Sequence, residues 1–225
     1  MGKTRVLPEY EQLTRRGAAN GSSTPANLPV IEESQAGDEV ALLYDAFRSR
    51  FGRQEVPGIL KCFATHPPLL QHMMDIAESL LFADGHLVRR HKEMIATLVS
   101  SQNACAYCAD SHGYFLRVHG GSAEALHALQ QDDLSSPSLT AAEQTLLQFT
   151  QKVNRSSHQI TRGDVDLLIE NGWSESQIAE AVHVASLFAT FNRVANAFGL
   201  PSQGLLALYE SAEPANNSLQ PRGAS

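Results

Sequence analysis

Two cysteines three residues apart, followed by a histidine four residues on, form the most reactive cluster in this sequence: Cys105-Ala-Tyr-Cys108-Ala-Asp-Ser-His112. Residues three and four apart share one face of a helix, so the two thiols and the imidazole fall on a single stripe. The spacing predicts a helix from Ala104 to about His119, with Asn103 just ahead and Gly120-Gly121 closing it. The first turn of a helix offers unpaired N–H groups and the positive end of its dipole, and both favour a thiolate. With a neighbouring imidazolium, these effects bring a cysteine from about 8.5 to roughly 3.5–7.5. A thiolate attacks the O–O bond of a peroxide and becomes a sulfenic acid, which a second cysteine converts to a disulfide. A dithiol reductant then reopens that bond by exchange. Cys105 lies nearer the helix start and gains more from the dipole, whereas Cys108 is one turn from His112, its natural base. On this reading Cys108 is the peroxide-reactive thiol and Cys105 the resolving one.

Blander roles compete at each of these positions. A CxxC pair also arises from two small buried residues. Zinc is a further reading, with Cys105, Cys108 and His112 as three ligands, yet no second CxxC or paired-histidine motif completes a site. Cys62 has no partner nearby and reads as a small apolar filler. Glu93, one helix back, is on its own a solvated or paired helical carboxylate. Tyr107 lines a pocket or simply packs. His183 sits on an apolar helix and reads as core or a subunit contact. Asn192, Arg193 and Asn196 read as buried hydrogen-bonding or interface groups, and Trp173 as a structural anchor.

The elements that must position these residues read as helices throughout. Val40, Leu43, Phe47 and Phe51 recur at helical spacing until Gly52, and Pro67-Pro68 opens a second helix. Asp84-Gly85 turns the chain into a helix from about Leu87 to Ser101, and Ser122 caps a short one through Leu129. Capping signatures at Thr140–Glu143, Thr161–Asp164 and Ser174–Gln177 start three more, the last running to about Phe198 before Gly199 and Pro201. A short helix covers Gly204 to Ser211. No stretch alternates with period two, so the expected fold class is all-α, one multi-helix domain over residues 36–211. Residues 1–35 and 212–225, rich in Gly, Ser, Asn and Pro, read as a flexible arm and tail.

The chain has 225 residues, 43% of them hydrophobic and 18% charged, with a formal net charge of -7. It can bury a sizeable core. Nucleic acid is disfavoured as a partner because phosphate binding needs a surplus of Lys and Arg. No apolar run is long enough for a membrane span, and no secretory signal is apparent, so the expected location is the cytoplasm. Ordinary thiols stay reduced there, which makes a close cysteine pair catalytic or metal-binding rather than structural.

The stretch from Glu93 to Gly113 resembles the alkylhydroperoxidase D-like members of the carboxymuconolactone decarboxylase superfamily, above all their peroxidase-related branch. Glu93, twelve residues before Cys105, then Cys105, Cys108 and His112 fall on the positions of the family pattern. Leu139–Glu143, Gly172–Ile178 and Phe191–Gly199 look like the family's later helices. The resemblance covers roughly residues 28–205. It implies the alkylhydroperoxidase D-like helical fold and a thiol peroxidase acting on hydrogen peroxide or small organic hydroperoxides. It also implies Glu93 as a relay acid, which would need partial burial to raise its pKa toward the working pH. A protein dithiol or lipoyl-type reductant, a homo-trimer or homo-hexamer, and no metal or organic cofactor are implied too. One position departs: the best-known members carry a histidine just before the second cysteine, where this chain has Tyr107, a weak relay with an ordinary pKa near 10. A lactone decarboxylase-type lyase or isomerase, and a non-enzymatic redox sensor, are the alternative functions.

Overall fold

The computed structural model describes residues 27–212, and most of the arm and tail read from composition lies outside the described residues. Among the described residues ten α-helices follow one another: α1 (Asp38–Phe51), α2 (Gly58–Lys61), α3 (Pro67–Ala77), α4 (Arg89–Gln102), α5 (Ala106–Val118), α6 (Ala123–Gln130), α7 (Ala141–Ser156), α8 (Arg162–Glu170), α9 (Glu175–Phe198) and α10 (Leu205–Ala212). No strand occurs among the described residues. The three capping boxes all form, at Thr140, Thr161 and Ser174, each satisfying orphan N–H groups of a helix start. The single turn of α2, which Pro57 alone marks as loop in the sequence, is too short to show periodicity.

Helix α4 is the central strut. Its 14 residues pack against α5, α6, α7 and α9. Ile95, Ala96 and Val99 join the larger apolar cluster, which draws on α1, α3 and α9, while Met94 and Leu98 join a smaller one with α6. A helix buried all round has no solvated stripe, which is why its apolar pattern in the sequence is broad rather than one-sided.

Residues 27–35, assigned by composition to the flexible arm, are tied to the helices instead. The Asn27 N–H donates to the Phe198 carbonyl at 2.8 Å, and the Tyr44 hydroxyl to the Ile31 carbonyl at 2.7 Å. Gly199, at φ 74°, is left-handed, and a Cβ there would stand 2.9 Å from Asn27. Two separate constraints therefore call for glycine at that helix end.

The link from α3 to α4 is held by a buried ion pair. Residues Glu78–Phe82 are wound as a single π-helical turn, and the Leu80 and Leu81 carbonyls in it accept side-chain donors from α4. Lys92, 1% exposed, donates to Glu180 Oε1 at 2.7 Å, to the Leu80 carbonyl at 2.9 Å and to the Ala83 carbonyl at 3.2 Å. All three of its protons are thus used. Glu180 Oε2 accepts the N–H groups of His86 and Leu87 at 2.6 and 2.7 Å. At Gly85 a Cβ would lie 2.1 Å from Glu180 Oε1. Removing one partner of such a pair strands the other charge, so Lys92→Met should lower stability by about 3–5 kcal/mol, measured by urea unfolding.

Candidate active site

The site is assembled where α5 begins beneath α9. Cys105 is the N-cap of α5, and its Sγ accepts the Cys108 N–H at 3.4 Å. A sulfur therefore takes the place usually held by a serine or aspartate oxygen, one of the orphan donors of the helix start. Ala104, just before it, is left-handed at φ 50°, a conformation a non-glycine residue adopts at a cost. This sharp entry turns Cys105 back over Cys108. Both are buried, at 1% and 3% exposure.

The two thiols are electrostatically unlike. The thiol of Cys108 donates to Cys105, and this bond, the Cys108 N–H and the Asn192 side chain hold Cys105 down at about 7 against its burial. Cys108 is pushed upward because it donates to Cys105 and is desolvated. One shared proton serves the pair. Cys62, beyond Cys108, is pushed up to about 12 by burial, in keeping with an inert filler.

Access is divided the other way. A cavity of about 80 Å³ is lined by Cys108, Tyr107, Ser111 and His112, and Cys105 lies outside its wall. The rest of the wall is mainly aromatic and aliphatic, with Phe47, Phe51, Phe82, Phe115, Phe188 and Phe191 contributing rings. Its volume is several times the roughly 10–15 Å³ that one water requires, so a small organic molecule fits.

His112 faces this cavity with its ring edge-on to Phe188, centroids 4.4 Å apart. Its Nδ1 lies 2.7 Å from Glu93 Oε2. A carboxylate only accepts, so Nδ1 carries the proton, and in the neutral ring Nε2 is the basic nitrogen. Glu93 Oε1 accepts Arg89 Nε at 2.5 Å, and Arg89 also donates to the Leu81 carbonyl at 3.0 Å while its guanidinium lies 4.6 Å from the Phe82 ring centroid.

Two expectations are corrected here. Glu93 is fully buried, which by itself raises a carboxyl pKa, but Arg89 and His112 outweigh burial and hold it at about 2. It is a fixed anion that orients His112, and no acid titrating near neutrality. His112, expected as the base beside Cys108, gives its Nδ1 to Glu93, and the proton of Cys108 faces Cys105 instead. The expectation that Tyr107 lines the pocket agrees with the cavity wall; its hydroxyl also accepts the Ile59 N–H at 3.3 Å, fastening α5 to α2.

Residues 67–152, from α3 into α7 and so including Glu93, both cysteines and His112, match the carboxymuconolactone decarboxylase family. The fold of this chain is that of alkylhydroperoxidase D-like structures. An uncharacterized peroxidase-related protein from Silicibacter sp. TM1040 is 27% identical with a TM-score of 0.69, covering 80% of this chain and 94% of that one. The alkylhydroperoxidase AhpD core from Ralstonia eutropha JMP134, also an uncharacterized peroxidase-related protein, is 23% identical with a TM-score of 0.71, covering 82% and 96%. The debrominase Bmp8 shares the fold at 16% identity and a TM-score of 0.64, covering 84% and 97%. No curated protein matches the sequence. Among the described residues, no helix is long and apolar enough to cross a membrane, and no three metal-binding side chains converge as a metal site would require.

Sequence reasoning missed several residues around this site. Arg89 stands four before Glu93, an i,i+4 spacing that announces an ion pair. Asp110 caps α10 by accepting the Leu205 and Leu206 N–H groups at 3.0 Å each, and Ser111 Oγ reaches Gln203 of the cavity wall at 3.4 Å. Asn192, classed with neighbouring polar residues as a buried hydrogen-bonder, lies one turn before the Ala195 that packs on both cysteines, and it favours the thiolate form of each. The available signal was a single carboxamide on the helix face carried by Phe188, Phe191 and Ala195.

Proposed function

We propose that this protein is a thiol-dependent peroxidase that reduces apolar organic hydroperoxides through a Cys105–Cys108 disulfide. The carrying observation is the division of labour in the pair: one sulfur is ionised near neutrality, and the other opens on an aromatic cavity. The hydroperoxide sits among the phenylalanine rings with its O–O bond toward Cys108. Cys108 passes its proton to Cys105, and its sulfur takes the terminal oxygen as the O–O bond breaks. The bonding pair leaves on the alkoxide, which takes a proton from His112 in its protonated form to become the alcohol. Glu93 keeps the imidazole aimed and supports its positive charge. Cys105 then attacks the sulfenic sulfur, the S–S bond forms, and the displaced hydroxide leaves as water with the Cys105 proton. Two electrons have passed from the thiols to the peroxide. A small dithiol or lipoyl-type reductant returns them by thiol exchange.

The test is steady-state loss of cumene hydroperoxide with dihydrolipoamide or dithiothreitol as reductant. Turnover well above the uncatalysed rate, and faster than with hydrogen peroxide, is expected because only the organic peroxide fills the apolar wall. Absence of turnover with either reductant would overturn the reading, as would muconolactone conversion that survives replacement of both cysteines.

A further inference from the structure

Asn192 is fully buried in α9 and its hydrogen bonds are countable. One proton of its carboxamide nitrogen goes to Ser100 Oγ at 3.0 Å, and its oxygen accepts Asn103 Nδ2 at 3.0 Å. A carboxamide has two protons, so one remains, and the groups it meets are the sulfurs of Cys105 and Cys108.

A side-chain amide can be turned end for end, and the oxygen in place of the nitrogen would repel a thiolate. The chain of amides leading away from Asn192 determines which end faces inward. Asn103 Nδ2 also donates to Asn154 Oδ1 at 3.1 Å, and Asn154 Nδ2 returns a bond to Asn103 Oδ1 at 3.2 Å. Asn154 Nδ2 donates to Gln102 Oε1 at 3.1 Å, and Gln102 Nε2 to Asp132 Oδ1 at 2.8 Å. Asp132 is a carboxylate and can only accept. Gln102 must therefore offer it the nitrogen, and each following amide is oriented in turn, leaving the Asn192 nitrogen toward the sulfurs. Asp132 is itself anchored by Gln151 at 2.9 Å and Arg155 at 2.9 Å.

We propose that Asn192 is the hydrogen-bond donor that stabilises the thiolate of the redox pair, and that Asp132 is a positioning residue that fixes the direction of its carboxamide through Gln102, Asn154 and Asn103. This rests on the redox reading of the CxxC pair. Asn196, one turn on, donates to the Asn103 carbonyl at 3.0 Å, so α9 also clamps the turn that delivers Cys105. The charged and titratable groups around the pair are His112 on α5 with Glu93 and Arg89 of α4 behind it, Tyr107 beside Cys108, Arg53 on the cavity wall and Cys62 beyond Cys108.

The experiment is a pH titration of the reduced full-length protein, following thiolate ultraviolet absorbance in the wild type, Asn192→Ala and Asp132→Gly. Glycine keeps the left-handed backbone of residue 132, φ 59°, and removes the carboxylate. The ionisation midpoint should rise by about one pH unit in Asn192→Ala, leaving about tenfold less thiolate below it. Asp132→Gly should shift it in the same direction by less. Should Asn192→Ala not fold, the more exposed Asp132→Gly decides alone. Midpoints equal to the wild type in the folded variants would overturn the proposal. No peroxide enters this titration. A wild type that titrates low yet reduces no peroxide therefore refutes the peroxidase reading alone, and an active wild type with unmoved variants refutes the role of Asn192 alone.

Discussion

Cys108→Ser should lose hydroperoxide turnover by more than about a thousandfold, because the nucleophile at the cavity is gone and Cys105 lies outside its wall. Cys105→Ser should lose multiple turnover to a similar extent for a different reason. Cys108 would still reach the peroxide, more slowly without its proton acceptor, and would stop as a sulfenic acid with no thiol to close on. A dione probe for sulfenic acid should label Cys108 in Cys105→Ser, while Cys108→Ser should give no label at Cys105. Mass spectrometry of the labelled peptides reads both. The reverse pattern would make Cys105 the attacking thiol, as its lower pKa taken alone would suggest. Access overrides ionisation here because the pair shares one proton over a single hydrogen bond, so charge passes between the sulfurs far more easily than the peroxide can pass the cavity wall.

Glu93→Gln should reduce turnover by about a hundredfold and weaken the fold together. The amide can accept one bond but carries no charge, so the Arg89 guanidinium and His112 lose their counter-ion inside the protein. The stability effect has a defined pH signature. The Glu93 carboxyl ionises at about 2 in the folded protein against an ordinary value of 4.5. A depressed carboxylate pKa stabilises the fold fully above the unfolded value, and that contribution disappears as pH falls through the folded value. The wild type should therefore exceed Glu93→Gln by about 3 kcal/mol at neutral pH, with the gap closing between about pH 4.5 and 2. Urea unfolding at several pH values measures it. A gap that stays constant through that window would show that Glu93 contributes shape rather than charge.

The helices were legible because local signals specify them. The serine and threonine caps, the left-handed Gly199 and the prolines at Pro67 act within one turn of chain, so reading four neighbours suffices. The π-helix at Glu78–Phe82 left no such trace, because it depends on Lys92 and Arg89 taking carbonyls from another helix. The site divides along the same line. Cys105, Cys108 and His112 share one helix and their spacing showed them together, whereas Glu93 came from the family pattern. The sign of the Glu93 shift was misjudged because it depends on Arg89 and His112 both reaching one carboxylate, one of them from another helix. The role of Asn192 was out of reach for the same reason: its register against the sulfurs is set by how α9 lies over the start of α5, some 84 to 87 residues apart in sequence.

The most direct measurement adds one equivalent of cumene hydroperoxide to the reduced protein, then counts remaining thiols and maps disulfides by mass spectrometry. The account predicts that two of the three thiols vanish for each peroxide consumed, that cumyl alcohol appears in equal amount, and that Cys105 and Cys108 are joined in one peptide pair with Cys62 still free. Unchanged thiols with peroxide intact, or oxidation falling on Cys62, would contradict it.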